Sequence, residues 1–216
     1  MNRETDNILF DLDGTLTDPK VGIINSILYA LQKLDIVEES VDELDSFIGP
    51  PLRNSFLTRY HLSEFQADKA VSFYREYFTE KGLFENVLYP GIADVLGSLH
   101  TKGFQLFVAT SKPTVFADQI LKHFDLDRYF TSVIGSNLDH SRSDKSEIIS
   151  YALSEYCLSQ DRSVMVGDKK HDIIGAKNNC IKSIGVTYGY GSLQELLSQQ
   201  PDLIIHDCVE LKSVFY

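Results

Sequence analysis

From about residue 87 onward, short apolar runs alternate with amphipathic helical stretches, and this alternation constrains the fold more than any other feature of the chain. Strands are predicted at residues 105–109, 132–134, 163–166, 183–186 and 203–205, and earlier at 8–10. Helices are predicted at 92–101, from Pro113 towards His123, at 145–157 and 172–179, with a short one at the end. Several of these strands are continuously apolar rather than alternating. That pattern belongs to parallel strands covered on both faces, because helical crossovers pack on each side. The expected class is α/β, a Rossmann-like doubly wound parallel sheet.

Residues 17–86 break the rhythm. Residues 21–34 read as an amphipathic helix with Ile24, Ile27, Leu28 and Leu31 on one face. Further helices are expected at 41–47, 52–60 and 63–81, with Gly49-Pro50-Pro51 as a loop and no strand. The aromatic set Phe65, Phe73, Tyr74, Tyr77 and Phe78 is expected in the core of this insert. The organisation is therefore a core of residues 1–16 and 87–216 and an inserted all-helical domain of residues 17–86.

Charge and composition restrict the partners. A formal net charge of −11 argues against a nucleic acid polymer or an anionic membrane as ligand, since both favour a basic patch. It leaves an anionic small molecule open, because a bound metal ion and a few lysines can invert the potential of one cleft. Cys157, Cys180 and Cys208 are odd in number and lack CxxC spacing. They are expected as buried thiols in a reducing compartment. The first six residues are polar, and no apolar stretch reaches the ~18–20 residues of a bilayer span. A soluble cytoplasmic protein is expected.

The first apolar run, Ile8-Leu9-Phe10, leads directly into Asp11-Leu12-Asp13-Gly14-Thr15. Alternation along a strand points Asp11 and Asp13 the same way, and two anions so placed need a cation or a proton between them. A plain turn would use the same Asp-Gly pair. A helix-loop-helix calcium site would need Glu at the twelfth loop position, which is Gly22 here. Ligands of open parallel sheets sit at the carboxyl ends of the strands. Those ends deliver Asp11 and Asp13, then Thr110, Ser111 and Lys112, then Gly167, Asp168 and Asp172. Taken singly, Thr110-Ser111 reads as a helix cap, and Asp168 and Asp172 as first-turn acids. Lys145 opens a helix, where a cation opposes the dipole. Reaching into the cleft, it would gain roughly 4 kcal/mol from one charge pair at ~4 Å and a dielectric of ~20. Lys112, Lys169 and Lys170 compete for that role.

Together these residues resemble the haloacid dehalogenase superfamily of phosphohydrolases over essentially the whole chain. Asp11-Leu12-Asp13-Gly14-Thr15-Leu16-Thr17 is similar to its first motif, Thr110-Ser111 to its second, Lys145 to its third, and Gly167-Asp168-Lys169-Lys170-His171-Asp172 to its fourth. The helical insert resembles the family's C1 cap. Residues 81–86, 108–113 and 135–139 resemble the phosphoglycolate phosphatase and 5′-nucleotidase-like branch. The resemblance implies a phosphoric monoester hydrolase acting on a small phosphorylated metabolite. Asp11 would be the nucleophile and form an aspartyl-phosphate, with Asp13 as acid and base. Mg²⁺ would be held by Asp11, the Asp13 carbonyl, Asp168 and Asp172. Thr110, Ser111 and Lys145 would hold the phosphoryl oxygens, and Arg53 of the cap would contact the leaving group. A hexose-phosphate mutase shares these residues, and a non-catalytic binding protein could share the fold.

Overall fold

A computed structural model of the chain describes residues 5–139 and 141–215. It has two compact units, Met1–Asp18 with Leu88–Tyr216, and Pro19–Val87. The chain begins with strand β1 (Asn7–Phe10) and a two-residue strand β2 (Thr17–Asp18). The second unit carries α1 (Lys20–Lys33), a 3-10 turn at Val41–Phe47, α2 (Leu52–Tyr60), α3 (Glu64–Tyr77) and a π turn at Phe78–Gly82. After β3 (Val87–Leu88) come α4 (Ile92–Thr101), β4 (Gln105–Pro113), α5 (Thr114–His123) and β5 (Ser132–Ser136). The chain continues through α6 (Lys145–Glu155), β6 (Ser163–Gly167), α7 (Lys170–Asn178) and β7 (Lys182–Val186). It closes with α8 (Leu193–Ser198), β8 (Leu203–Ile205) and α9 (Glu210–Val214).

The first unit is an α/β fold around a six-stranded sheet in the order β5-β4-β1-β6-β7-β8. Every pairing is parallel. The strand that comes first in sequence lies in the interior, with β4 on one side and β6 on the other. The winding reverses about β1, so the carboxyl ends of β1, β4 and β6 border the switch point where such sheets bind ligands. All four residues of β1 are buried, as a strand covered on both faces requires. Leu9, Phe107 and Met165 from adjacent strands share one core cluster with Ile148, Ile149 and Ala152 of α6. The β4–β5 register shifts between Ala109 and Pro113, which re-aims Thr110, Ser111 and Lys112 as they leave the sheet.

The second unit is helical. Ile23, Ile27, Ala30 and Leu31 are the buried apolar residues of α1, whereas Ile24 and Leu28 are only partly covered. Ser63 caps α3 in a reciprocal capping box with Gln66. Tyr74 and Phe78 stack with centroids 5.3 Å apart and are buried. Phe65 departs from the expected core set: it is 67% exposed, on the first turn of α3, where the Lys69 ammonium lies over its ring. Cys157 and Cys180 are also exposed, contrary to the expectation of burial. Each takes a positive φ just beyond a helix, at 52° and 55°, where the chain turns outward. Cys208 is buried. Thr17–Asp18 is a strand in a stretch expected to have none. Among the described residues no helix is long and apolar enough to cross a membrane.

Leu9 is fully buried in an interior strand. Leu9→Ala is expected to destabilise the fold by about 2–5 kcal/mol, read as a lowered urea midpoint with an unchanged slope.

Candidate active site

The carboxyl end of β1 turns at once. The Leu12 carbonyl accepts from the Leu16 and Thr17 amides at 2.9 and 3.1 Å, and Gly14 takes φ +86° within this turn. The Asp11 amide donates to the Val166 carbonyl at 2.9 Å, so Asp11 is still tied to the sheet when its side chain reaches the site. Its Oδ1 accepts from the Leu12 amide at 2.7 Å.

Lys145 is the hub. Asp144 caps α6 by accepting from the Ser146 amide, and the next residue turns its side chain into the protein. The buried Lys145 Nζ lies 2.7 Å from Asp11 Oδ1, 2.7 Å from Asp172 Oδ1 and 2.8 Å from the Ala109 carbonyl. An ammonium has three donors, and these contacts account for all of them. Burial works against its charge, but Asp11 and Asp172 outweigh that, and its pKa rises. Asp172 sits on the first turn of α7, where its Oδ2 also accepts from the Lys169 amide at 3.0 Å.

Lys112 does not take the place for which it competed with Lys145 but pairs with Asp13. Its Nζ lies 2.8 Å from Asp13 Oδ2, with both side chains nearly covered. The β4 register shift gives Lys112 this direction, and strand periodicity alone does not reveal it. Burial raises the Asp13 pKa against the pull of Lys112. Thr110 is buried, and its hydroxyl accepts from the Lys112 amide at 3.3 Å. The Ser111 hydroxyl donates to the Ser143 carbonyl at 3.0 Å.

Asp168 completes the cluster. It is fully buried, and its pKa is pushed up to about 8 by burial and by the charges of Asp11 and Asp172. Oxygens of Asp11, Asp168 and Asp172 lie within 4.8 Å of one another, and Asp168 Oδ1 is buried with no hydrogen-bond partner. Four carboxylates, Asp11, Asp13, Asp168 and Asp172, face two ammonium groups, Lys112 and Lys145. The carboxyl groups thus outnumber the ammonium groups by two, and burial keeps protons on that surplus until a cation replaces them. An all-oxygen donor set with that excess fits a hard divalent cation such as Mg²⁺. The structure thus brings together Asp11, Asp13, Thr110, Ser111, Lys145, Asp168 and Asp172. Arg53 belongs to the helical unit, where it pairs with Glu64 and Asp68 of α3.

The site is thus a cluster of carboxylates and lysines at the switch point of a doubly wound parallel sheet. The family model for haloacid dehalogenase-like hydrolases matches residues 8–186, and the chain belongs to that family. It is 46% identical over 208 residues to a 5′-nucleotidase of Pseudomonas aeruginosa, covering 96% of this chain and 93% of that one. It is 30% identical over 215 residues to a phosphoglycolate phosphatase of Vibrio parahaemolyticus, covering 96% and 94%. The crystal structure of a predicted phosphatase from Clostridium acetobutylicum matches with a TM-score of 0.93 at 46% identity, covering 97% and 98%.

The raised Asp168 pKa sets a pH dependence. A carboxyl that holds its proton up to about 8 when folded, against 3.8 otherwise, stabilises the metal-free fold only at low pH. That contribution is lost as pH rises between the two values. Metal-free protein is therefore expected to melt at a lower temperature at about pH 8 than at about pH 5. A divalent cation at 100 times its pH 8 Kd should restore about 2.7 kcal/mol, roughly 5–10 °C, and the same concentration should restore less at about pH 5, where protons compete for the carboxylates. Differential scanning fluorimetry across pH, with and without Mg²⁺, checks both.

Proposed function

We propose that this protein is a Mg²⁺-dependent phosphomonoesterase that removes phosphate from a small metabolite through an aspartyl-phosphate on Asp11. The observation that carries the reading is the buried cluster itself: Asp11 held by Lys145, Asp13 held by Lys112, and two more carboxyl groups than ammonium groups. Such a cluster is costly to bury unless a cation and an anionic ligand complete it.

In this reading the Asp11 carboxylate attacks phosphorus in line with the leaving oxygen, which splits one displacement into two. Lys145 orients Asp11 through their ion pair, and its charge offsets that of the incoming phosphoryl group. The Thr110 hydroxyl and the Ser111 amide hold phosphoryl oxygens. Asp13 protonates the leaving alkoxide, then takes a proton from the water that cleaves the aspartyl-phosphate. Its raised pKa is in the direction that this dual task needs. Asp11, the Asp13 backbone carbonyl, Asp168 and Asp172 would hold Mg²⁺, with Asp172 bound directly or one layer out. When bound, the ion neutralises charge between nucleophile and phosphate. Residues 17–86 are assigned as a cap that excludes water and contacts the leaving group. Arg53 is assigned no part in catalysis, because two carboxylates of its own unit already engage it.

Hydrolysis is preferred to phosphoryl transfer onto a second sugar because the relatives above are named a 5′-nucleotidase and a phosphoglycolate phosphatase. The same names put nucleoside 5′-monophosphates first and 2-phosphoglycolate second as substrates. Three free cysteines accord with action in the cytoplasm.

Phosphate release should be measured over a panel of nucleoside monophosphates, 2-phosphoglycolate and hexose phosphates. Turnover is expected for at least one, to stop on chelation and return with Mg²⁺. Asp11→Asn is expected to lose roughly 10³-fold or more in kcat with its melting temperature preserved. Isomer formation from a hexose phosphate without phosphate release would overturn the hydrolase reading. Normal turnover by Asp11→Asn would overturn the nucleophile.

A further inference from the structure

Beyond β7 the chain does not enter its next helix directly. Tyr188-Gly189-Tyr190-Gly191 first folds back over the carboxyl edge of the sheet. The backbone amide of Tyr190 donates to Asp168 Oδ2 at 2.7 Å. The approach is possible only because two glycines flank that amide. A methyl group at Gly189 would lie 2.2 Å from the Gly14 carbonyl oxygen and 2.5 Å from Asp168 Cβ. One at Gly191 would lie 1.8 Å from the Asp168 carbonyl oxygen. Both distances are far below contact, and the obstacles at 1.8 and 2.2 Å are backbone atoms that cannot rotate aside.

Two hydroxyls pin the segment from either side of the close approach. Tyr188 donates to the Thr15 carbonyl at 3.1 Å, and its ring meets Tyr89 edge-on at 4.9 Å. Tyr190 donates to Asp18 Oδ1. Both anchor points lie on the stretch that follows the Asp11–Gly14 turn. The segment therefore links the end of β1 to the end of β6 by bonds that bypass the sheet.

The consequence falls on one carboxylate. With Oδ2 taken by the Tyr190 amide, the Asp168 plane is fixed, and Oδ1 is the oxygen left buried and without a hydrogen-bond partner. We infer that the Tyr188–Gly191 segment is a positioning element: its Tyr190 amide selects the Asp168 orientation offered to a divalent cation, and the Tyr188 and Tyr190 hydroxyls hold that amide in place. This rests on the reading that Asp11, Asp168 and Asp172 bind such a cation. Hydrogen bonds to metal-binding carboxylates commonly set affinity through orientation, with losses of ~10–100-fold when they are removed.

The test uses the full chain and Mn²⁺ as the probe, with free Mn²⁺ read by electron paramagnetic resonance. Gly191→Ala forces the segment off Asp168 and is expected to weaken Mn²⁺ binding ~10–100-fold. The double variant Tyr188→Phe/Tyr190→Phe adds no bulk and removes only the two hydroxyl anchors. It is expected to keep the metal-free melting temperature within a few degrees and to weaken Mn²⁺ binding several-fold, toward the lower end of that ~10–100-fold range. A purely structural segment would lower the metal-free melting temperature and leave the Mn²⁺ Kd alone. Wild-type Mn²⁺ affinity in the folded double variant overturns the inference, whether or not Gly191→Ala folds. Absence of Mn²⁺ binding by the wild-type protein overturns the metal reading itself, which separates the two failures.

Discussion

The contact of Lys145 with Asp11 and Asp172 is the constraint around which the rest of the site is arranged. One ammonium joins the end of β1, the start of α7 and, through the Ala109 carbonyl, the point where the β4 register begins to shift. Removing either carboxylate would leave the ammonium paired with the other, whereas removing the lysine would strand two buried carboxylates. The sheet order matters because it brings the ends of β1 and β4 and the start of α7 to where one four-carbon side chain can span them. The β4 register shift matters because it lets a second lysine reach Asp13. The cluster still has two more carboxyl groups than ammonium groups, and a divalent cation can take the place of the protons that burial would keep there.

Much of the fold was legible in the sequence because a doubly covered parallel strand has few alternatives. Runs such as Ser163–Gly167 are too short and too apolar to be anything else between two helical stretches. Helix limits read well where a breaker marks them: Gly103 ends the stretch after α4, and Pro113 precedes α5. They read less well where nothing marks them. The helix expected over 145–157 stops at Glu155, and the turn that follows uses Cys157 in a left-handed conformation that glycine more often supplies.

The candidate site residues were legible because most of them fall at strand ends in chain order. What escaped was carried by the backbone. Lys112 gains its direction from a register shift, and a shift leaves no residue signature. The Tyr190 donor is a main-chain amide, and every residue except proline has one. The signal available was the pair of glycines alternating with tyrosines directly after a strand. Phe65 escaped for a different reason: periodicity places a residue on a helix but does not fix which turns have a neighbour.

The position of β1 has a further consequence, in the time it takes to make the protein. Its partners are β4, through Asn7 opposite Gln105, and β6, through Asn7 opposite Ser163. During synthesis the apolar strand Asn7–Phe10 is made early, yet its second neighbour does not exist until Gly167 has been added. At ~5–20 residues per second that interval is roughly ten to thirty seconds. Throughout it, a strand that is buried along its whole length in the finished molecule has an open edge. The nascent chain is thus most exposed to misassociation at the strand that later carries the Asp11 turn.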